Sequence, residues 1–296
     1  MEEIGHKFRV SNVEGKGAGW IATKNIQRGE LIWTESPILN PMGHFAFLGA
    51  INKAVNDLSK KNQKLFESLY DPEDGGEEAM KNVRIWNTNA TGWGIYVTAS
   101  RLNHSCQPNV IWSSDDDNPP HRLEVRALRD VSLGEELTVS YIKMSDLLPK
   151  EKRQQKLSQW GFVCCCTLCS LEEMQVKKND EARIVVGLGI KKMDDFLDSL
   201  MMTMPQDLQI KFMMKLGLKC LKLVETDLAE DAGSATLMVL KSLAVLSALA
   251  QMYGVKVPGC ENHRIYRDRA WEEAKLLGEM FLSNCKAMDF EIGQFV

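Results

Sequence analysis

The sequence contains no long apolar run and no excess of basic charge. The longest charge-free stretch of its second half, residues 242–255, is shorter than the roughly 20 apolar residues that a membrane-spanning helix needs, and we expect no membrane association. The 36 basic residues are outnumbered by 40 acidic ones, and the net charge is −4. Because binding to nucleic acid requires a basic surface that neutralises phosphates, we expect no direct sequence-specific nucleic-acid binding.

The chain also lacks the pattern of a secretory signal. It begins with Met1-Glu2-Glu3 and mixes charges from the outset, whereas a signal peptide joins a basic start to an apolar run. We therefore expect a reducing compartment, the nucleus and/or the cytoplasm, in which structural disulfides are rare. The apolar content of 44% excludes a disordered chain.

Cysteine is absent from residues 36–105, although the whole chain contains eight. Four of the eight lie within six positions, at Cys164, Cys165, Cys166 and Cys169, and such a density indicates metal ligation more than simple packing. A structural zinc site needs four ligands, and Cys165 could take the place of a neighbour. The alternative is a set of free buried thiols. The remaining cysteines of the second half are expected to be core or surface thiols: Cys220, Cys260 and Cys285.

The first half of the chain predicts a domain of short strands. Gly, Pro, Asn and Asp interrupt it at short intervals, and the apolar runs between them have the length and alternation of strands. The predicted strands are 20–22, 31–33, 109–112, 123–127 and 137–142. Residues 45–70 instead show the three-to-four spacing of an amphipathic helix, and an acidic loop over 71–78 and a further helical piece follow.

The second half predicts helices. Beyond residue 172 only Pro205 and Pro258 interrupt the sequence, and the apolar spacing indicates amphipathic helices at 194–202, 206–223, 235–252 and 266–282. The basic run Lys150–Lys156 is interpreted as one solvated face of a helix. Together the two halves indicate an α+β protein.

Four motifs carry the chemistry of the sequence. They are "GKGAGW" at 15–20, "RLNHSCQPN" at 101–109, "GEELTVSYI" at 134–142 and "GFVCCCTLC" at 161–169. Taken singly, each has an ordinary structural explanation. His104 alone is typical of a hydrogen-bonded buried histidine, Tyr141 of a strand tyrosine and Phe162 of a core residue. The adjacent carboxylates Glu135 and Glu136 are interpreted as turn residues, not as an acid–base pair.

In this order the four motifs resemble those of the SET-domain protein lysine methyltransferases. The resemblance spans residues 8–169 and is closest to the SMYD branch and its fungal relatives. It implies a SET-domain β-fold of short strands over residues 1–145, with the helical insertion at about 45–93. A zinc-binding post-SET segment at 146–172 and an α-helical C-terminal domain at 173–296 would follow. The branch inserts a MYND zinc finger between residues 36 and 105, and the missing cysteines exclude that finger here.

The resemblance also implies the site residues. Cys106 would join Cys164, Cys166 and Cys169 as the fourth ligand of a structural zinc ion. The residues expected to bind S-adenosylmethionine are Lys16, Gly17, Trp20, Asn103, His104, Tyr141 and Phe162. Trp20 replaces a smaller apolar residue usual at its position. Trp160 replaces a tyrosine of the branch, and an indole N–H can donate but cannot accept a hydrogen bond.

The implied activity is methyl transfer from S-adenosylmethionine to a lysine ε-amine of a histone or non-histone protein. Tyr141 would be the catalytic residue and would orient the amine in a narrow channel. The protein partner would be any substrate that presents a lysine. A catalytically inactive SET scaffold, which binds partners through its helical C-terminal region, is the alternative that Trp160 leaves open. Without the resemblance, the cysteine cluster would fit a zinc-stabilised scaffold equally well.

Overall fold

The computed structural model describes residues 7–40, 48–73, 76–91, 94–114, 122–142, 146–199, 207–228, 233–257 and 263–277. The packing of the backbone divides the chain into two compact units. Unit 1 comprises residues 1–139 and 157–163, and unit 2 comprises residues 140–156 and 164–296. The domain boundaries expected after residues 145 and 172 stay a prediction, because these units are defined by packing and not by independent folding.

Unit 1 is built on two small sheets. The first has the order β1 (Phe8–Val13), β2 (Gly17–Ala22), β7 (Glu136–Val139) and β4 (Asn103–His104). The second has the order β3 (Leu31–Glu35), β6 (Leu123–Ala127) and β5 (Val110–Ser114). Neighbouring strands are antiparallel except β4 and β7, which are parallel. Each of the five predicted strands overlaps an observed one.

Alternation of apolar and polar residues explains the second sheet. In β6, Leu123, Val125 and Ala127 are buried, while Glu124 and Arg126 between them are partly exposed and pair with each other at 2.8 Å. This is the period of two that a strand with one buried face requires. The inward residues of these short strands therefore form one part of the core of unit 1.

The helical insertion of unit 1 contains three helices. They are α1 (Leu48–Asn56), α2 (Lys60–Glu67) and α3 (Lys81–Asn89). The helical spacing predicted over residues 45–70 corresponds to two helices in the described residues. The hydroxyl of Ser59 accepts a hydrogen bond from the backbone N–H of Asn62 and starts the second helix there. The predicted apolar face is confirmed, with Ile51, Val55 and Leu69 buried in one cluster.

An ion pair ties the loop after α2 to α3. The guanidinium of Arg84 donates to both carboxylate oxygens of Asp71, at 2.7 and 2.8 Å. This hydrogen-bonded pair lowers the pKa of Asp71, although desolvation by burial acts in the opposite direction. The acidic loop thus begins at a fixed point, and residues 74–75 within it lie outside the described residues.

Unit 2 consists of helices within the described residues. They are α4 (Lys150–Leu157), α5 (Glu173–Ser199), α6 (Asp207–Thr226), α7 (Gly233–Met252) and α8 (His263–Leu277). The prediction placed the start of its first helix at residue 194, which is wrong, because α5 begins 21 residues earlier, at Glu173. Residues 200–202 and 278–282 of the predicted helices lie outside the described residues.

Two glycines let the helices of unit 2 approach closely. A Cβ added at Gly189 on α5 would collide with the sulfur of Cys220 on α6, and one added at Gly217 on α6 would lie 2.6 Å from a methyl carbon of Leu243 on α7. Burial raises the pKa of the Cys220 thiol to about 11. Cys220 is therefore a neutral core thiol, as predicted, whereas Cys260 and Cys285 lie outside the described residues.

Helix α7 is the most apolar helix of unit 2. Its window Ala235–Met252 has the length and composition of a membrane span, although 61% of that window is buried inside the protein. A core helix of a soluble protein meets the same criteria, so the observation is weak evidence for a membrane. The absence of a membrane partner stays a prediction.

The two glycines of α5 provide a matched test of helix packing. We expect Gly189→Ala to destabilise the protein by about 1–3 kcal/mol, because the added methyl group overpacks the contact with Cys220. Gly187→Ala is the control, since its Cβ would only make an ordinary 3.5 Å contact with Leu147 and should add up to about 1 kcal/mol of helix propensity. Urea unfolding measures both, and equal stabilities would contradict the packing argument.

Candidate active site and cysteine centre

The parallel pair of β4 and β7 brings two of the sequence motifs together. Asn103 lies opposite Thr138, and His104 lies opposite Val139. The pairing continues by one residue, where the backbone N–H of Ser105 donates to the carbonyl of Val139 at 2.9 Å. The Asn-His-Ser-Cys segment is thereby fixed alongside the strand that leads to Tyr141.

The buried side chain of Asn109 forms hydrogen bonds with β7 and with the residue before it. Its side-chain N–H₂ donates to Glu135 Oε1 at 2.9 Å and to the carbonyl of Glu136 at 2.8 Å. Its Oδ1 accepts the backbone N–H of Thr138 at 2.8 Å, and only 2% of the residue is exposed. The sequence interpretation gave Asn109 no role, although it ends the quoted motif "RLNHSCQPN". A buried amide with three partners is what the structure adds.

The carboxylate of Glu136 binds the side chains of two predicted cofactor residues. Lys16 Nζ pairs with one carboxylate oxygen of Glu136 at 2.6 Å, and Asn103 Nδ2 donates to the other at 2.9 Å. Lys16 lies in the turn between β1 and β2, and Gly17 after it has a φ of +73°, which favours glycine. The result is a polar group of amide, ammonium and carboxylate at the first glycine motif.

Gly19 makes the approach of Asn103 possible. A Cβ at this position would lie 2.7 Å from Asn103 Nδ2 and 2.7 Å from a methyl carbon of Val13, distances that real Cβ atoms do not reach. The third glycine of "GKGAGW" is therefore required by close packing, whereas the second is favoured by its positive φ.

Trp20 has a place in the core. Its ring stacks on that of Phe8 with the centroids 3.6 Å apart, its Nε1 donates to the carbonyl of Thr98 at 2.9 Å, and none of its surface is exposed. The structure gives Trp20 a packing role, and its contact with the cofactor stays a prediction.

Glu135 and Glu136 have different partners. Burial raises the pKa of Glu135, but hydrogen bonds from Arg129, the N–H of Ser132 and Asn109 outweigh it, so that the pKa lies below its ordinary value. A carboxylate held ionised in this way is a poor proton donor. The interpretation of both as turn residues is wrong at Glu136, which is the first residue of β7 and pairs with Ile21. That the two do not form an acid–base pair stays a prediction.

The segment after α4 contributes Trp160 and Phe162 to unit 1. The Nε1 of Trp160 donates to the carbonyl of Thr88 in α3 at 3.2 Å, a contact that uses its single donor. The ring of Phe162 is half-buried, and its centroid lies 6.1 Å from that of His104. Two predicted cofactor residues, His104 and Phe162, are thus neighbours. Tyr141 is half-buried and follows the last residue of β7 by two positions.

Four cysteines form a candidate metal centre. The Sγ atoms of Cys106, Cys164, Cys166 and Cys169 all lie within 4.8 Å of one another. In a tetrahedral zinc site with Zn–S distances of about 2.3 Å, the sulfurs are about 3.8 Å apart, so the group is compact enough for one ion. Cys165 is exposed and is not a member of the group.

His104 and Cys106 connect the candidate centre to β4. His104 Nε2 lies 3.3 Å from Cys106 Sγ, and both residues are buried. An imidazole N–H directed at a cysteine sulfur is a favourable partner for a thiolate. His104 therefore contacts Cys106 on one side and lies near Phe162 on the other.

A model of a known protein family matches the part of the chain that contains this site. Residues 17–142 match the family model of the SET domain, and this span contains β2 to β7, the Asn-His-Ser-Cys segment and Tyr141. The match covers less than half of the chain, and over these residues it supports the predicted resemblance to the SET domain. The parallel β4–β7 pair lies within the matched residues.

Two relatives of known name are similar in sequence to parts of this chain. The chain is 30% identical over 183 residues to "Histone-lysine N-methyltransferase set5" of Schizosaccharomyces pombe, a match that covers 60% of this chain and 54% of that protein. It is 43% identical over 82 residues to human "Histone-lysine N-methyltransferase SMYD3", covering 28% of this chain and 18% of that protein. The chain thus spans about half the length of the first relative and a smaller part of the second.

Two solved structures overlap this chain at low sequence identity. "Structure of Rubisco LSMT bound to AdoMet" overlaps 99% of this chain and 88% of that one, with 11% identity and a TM-score of 0.37. The Neurospora SET-domain protein DIM-5 overlaps 47% of this chain and 54% of that one, with 16% identity and a TM-score of 0.27. Values this low do not bear on function.

The buried amide of Asn109 gives a stability test of the β4–β7 pair. We expect Asn109→Ala to cost about 2–4 kcal/mol, since it removes three hydrogen bonds and leaves the buried backbone groups of β7 without partners. Asn12→Ala in β1 is the control, because Asn12 is exposed and should change the stability by less than about 0.5 kcal/mol. Thermal and urea unfolding are the measurements, and a neutral Asn109→Ala would show that backbone pairing suffices.

Proposed function

We propose that this chain is a protein-lysine N-methyltransferase that transfers a methyl group from S-adenosylmethionine to a lysine ε-amine. The observation that carries the proposal is the SET-domain match over residues 17–142, within which β4 places Asn103 and His104 beside β7. The relatives named histone-lysine methyltransferases support the same reaction class. The proposal extends their activity to a chain that spans only part of their length.

The cofactor site is proposed at the glycine turn and the strands beside it. The residues that would bind S-adenosylmethionine are Lys16, Gly17, Trp20, Asn103, His104, Tyr141 and Phe162. When bound, S-adenosylmethionine supplies an electrophilic methyl group on a sulfonium. The polar group of Lys16, Asn103 and Glu136 supports the proposal, because it offers charged and amide partners to an amino-acid tail.

Tyr141 is the proposed catalytic residue. A lysine amine has an ordinary pKa of about 10.4, so it must lose a proton and its water before it can attack. A half-buried tyrosine beside the end of β7 can accept or donate one hydrogen bond and hold the neutral amine in line with the methyl group. Such positioning supplies rate without covalent work by the protein.

The four-cysteine group is proposed to hold one structural Zn²⁺. The ligands would be Cys106, Cys164, Cys166 and Cys169, whose sulfurs are close enough together for one tetrahedral ion. Three of these ligands belong to the short segment after α4, and Cys106 follows β4 by two residues. Folding of this region would then depend on the metal.

The substrate is proposed to be a protein that presents an accessible lysine. The named activities of the relatives make a histone the first candidate, and a non-histone protein is equally compatible with the chemistry of the site. Action on histones would place the protein in the nucleus, and action on other proteins is compatible with the cytoplasm. An inactive scaffold would bind the cofactor or a partner without turnover.

The activity proposal predicts a specific loss at Tyr141. We expect Tyr141→Phe to lower turnover by about 100-fold or more, since it removes a positioned hydroxyl from the transition state, while binding of S-adenosylmethionine changes little. Methyl transfer to a mixed histone preparation and calorimetric titration with the cofactor measure the two effects. Tyr70→Phe is the control, because Tyr70 is an exposed tyrosine of the insertion.

Three outcomes of this experiment are distinct. Cofactor binding with turnover in the wild type and a selective defect in Tyr141→Phe support the proposal. Cofactor binding without turnover on any tested substrate supports the inactive scaffold. Equal loss of folding, cofactor binding and turnover in Tyr141→Phe would show that Tyr141 is structural.

The metal proposal predicts one zinc per chain and a different response at adjacent cysteines. Cys166→Ser should lose the zinc and lower the melting temperature, because a four-ligand site loses one thiolate. Cys165→Ser is the matched control, since Cys165 is exposed and outside the group. Elemental analysis and thermal unfolding measure both, and identical zinc contents in the two variants would refute this ligand set.

A further inference from the structure

The basic helix α4 contains one residue that does not fit its predicted role. Lys150–Lys156 was expected to form a solvated face, and this is wrong at Arg153, of which only 3% is exposed. Arg153 and Leu157 are one helical turn apart and both are buried, so they share the inward face of α4. Burial of a guanidinium is costly unless anions or acceptors surround it.

The guanidinium of Arg153 lies between the cysteine segment and α5. Its NH2 nitrogen donates to the sulfur of Cys169 at 3.8 Å. Its NH1 nitrogen donates to the carbonyl of Leu148 at 2.7 Å and to Asp180 Oδ1 at 3.1 Å. One planar fork therefore reaches a sulfur with one arm and is anchored by the other, a geometry that lysine cannot reproduce.

Asp180 holds the start of α4 as well as Arg153. Its two carboxylate oxygens lie 3.0 and 2.9 Å from the backbone N–H of Lys150, the first residue of α4. A carboxylate at a helix N-terminus satisfies a free N–H and complements the helix dipole. Asp180 thus fixes both the helix that carries Arg153 and the direction of its guanidinium.

A second residue of α4 supports the same segment. The side-chain amide of Gln154 donates to the carbonyl of Cys164 at 2.8 Å and accepts the N–H of Cys164 at 2.9 Å. Adjacent residues of one helix therefore bind the two ends of the cysteine segment, Gln154 through the backbone of Cys164 and Arg153 through the sulfur of Cys169. The segment is held at both of its outer ligands.

The charge of the proposed centre explains why a buried arginine is suited to this position. Four thiolates and one Zn²⁺ carry a net charge of −2, and a charge-assisted N–H···S contact stabilises a negative sulfur in surroundings with little water. Asp180 can neutralise the charge of Arg153 through the NH1 nitrogen, but the NH2 nitrogen of the guanidinium needs an acceptor of its own. The contact with Cys169 gives that arm a partner whose charge appears only in the metal-bound centre.

We propose that Arg153 is a positioning residue of the cysteine centre, oriented by Asp180, and that it slows loss of the metal by stabilising the charge on the Cys169 sulfur. This inference rests on the zinc site of the proposed function. It also makes retention of the metal depend on α5, because Asp180 belongs to that helix. Arg153 touches a ligand and not the metal, so its effect should appear in the stability of the centre.

The test is the rate at which zinc leaves the full-length protein for a chromophoric chelator. Arg153→Met should raise this rate by roughly 10-fold or more, the range found when a partner of a metal ligand is removed. Arg153→Lys should be intermediate, and Asp180→Asn should raise the rate by a smaller factor, because the asparagine can still accept the N–H of Lys150. Lys156→Gln is the control on the same helix, since Lys156 pairs with Asp146 at the surface.

A double variant separates this role from a purely structural one. Arg153→Met alone leaves Asp180 without its buried partner and can destabilise the fold, whereas Arg153→Met with Asp180→Asn removes both charges. We expect the double variant to fold and still to release zinc quickly. Cobalt-loaded protein gives a second readout, since the sulfur-to-cobalt absorption band should shift in the Arg153 variants and not in Lys156→Gln.

The outcomes distinguish this inference from the zinc proposal itself. If the wild type contains no zinc, the proposed zinc site fails, whatever the variants do. If it contains one zinc per chain and folded Arg153 variants release it at the wild-type rate with an unshifted cobalt band, the role of Arg153 is refuted. Faster release in Arg153→Met and in the double variant, with Lys156→Gln unchanged, supports it.

Discussion

The candidate site of unit 1 depends on one constraint, the parallel pairing of β4 with β7. A parallel pair that is two residues long forms few backbone hydrogen bonds, and parallel pairing is slightly weaker per residue than antiparallel pairing. The buried amide of Asn109 compensates with three hydrogen bonds to β7 and to the residue before it. Because of this pair, Asn103 and His104 have fixed positions, and Cys106 follows them on a short, restrained segment.

The adjacent residues Glu135 and Glu136 contact different partners, because their side chains point to opposite sides of the strand. Successive residues at the start of a strand point to opposite sides, and Glu135 accordingly meets Arg129 and Asn109, while Glu136 meets Lys16 and Asn103. Two carboxylates with separate cationic partners do not share a proton. They serve instead as hydrogen-bond acceptors. Lys16 of the glycine turn donates to Glu136, and two asparagines of the motif "RLNHSCQPN" donate to Glu136 and Glu135.

The cysteine segment of unit 2 is likewise held by charged and polar side chains of a neighbouring helix. A short helix with a strongly basic sequence directs most of its charges outward and one inward, and the inward residue has acceptors on both arms. The same helix holds the backbone of Cys164 through Gln154. Metal ligands that are themselves held in place lose less conformational freedom on binding, which is the advantage that neighbouring residues give to a metal site.

The sequence by itself determined the α+β class, the positions of most strands, the four motifs and the dense run of cysteines at 164–169, because local period and residue type govern these features. The choice of Cys106 as the fourth member of the group came from the resemblance to a known family. Only the tertiary structure decided the buried place of Trp20 and the roles of Asn109 and Arg153. Each of these depends on what lies opposite in space. A core partner or a buried acceptor comes from residues far along the chain, and no local pattern records it.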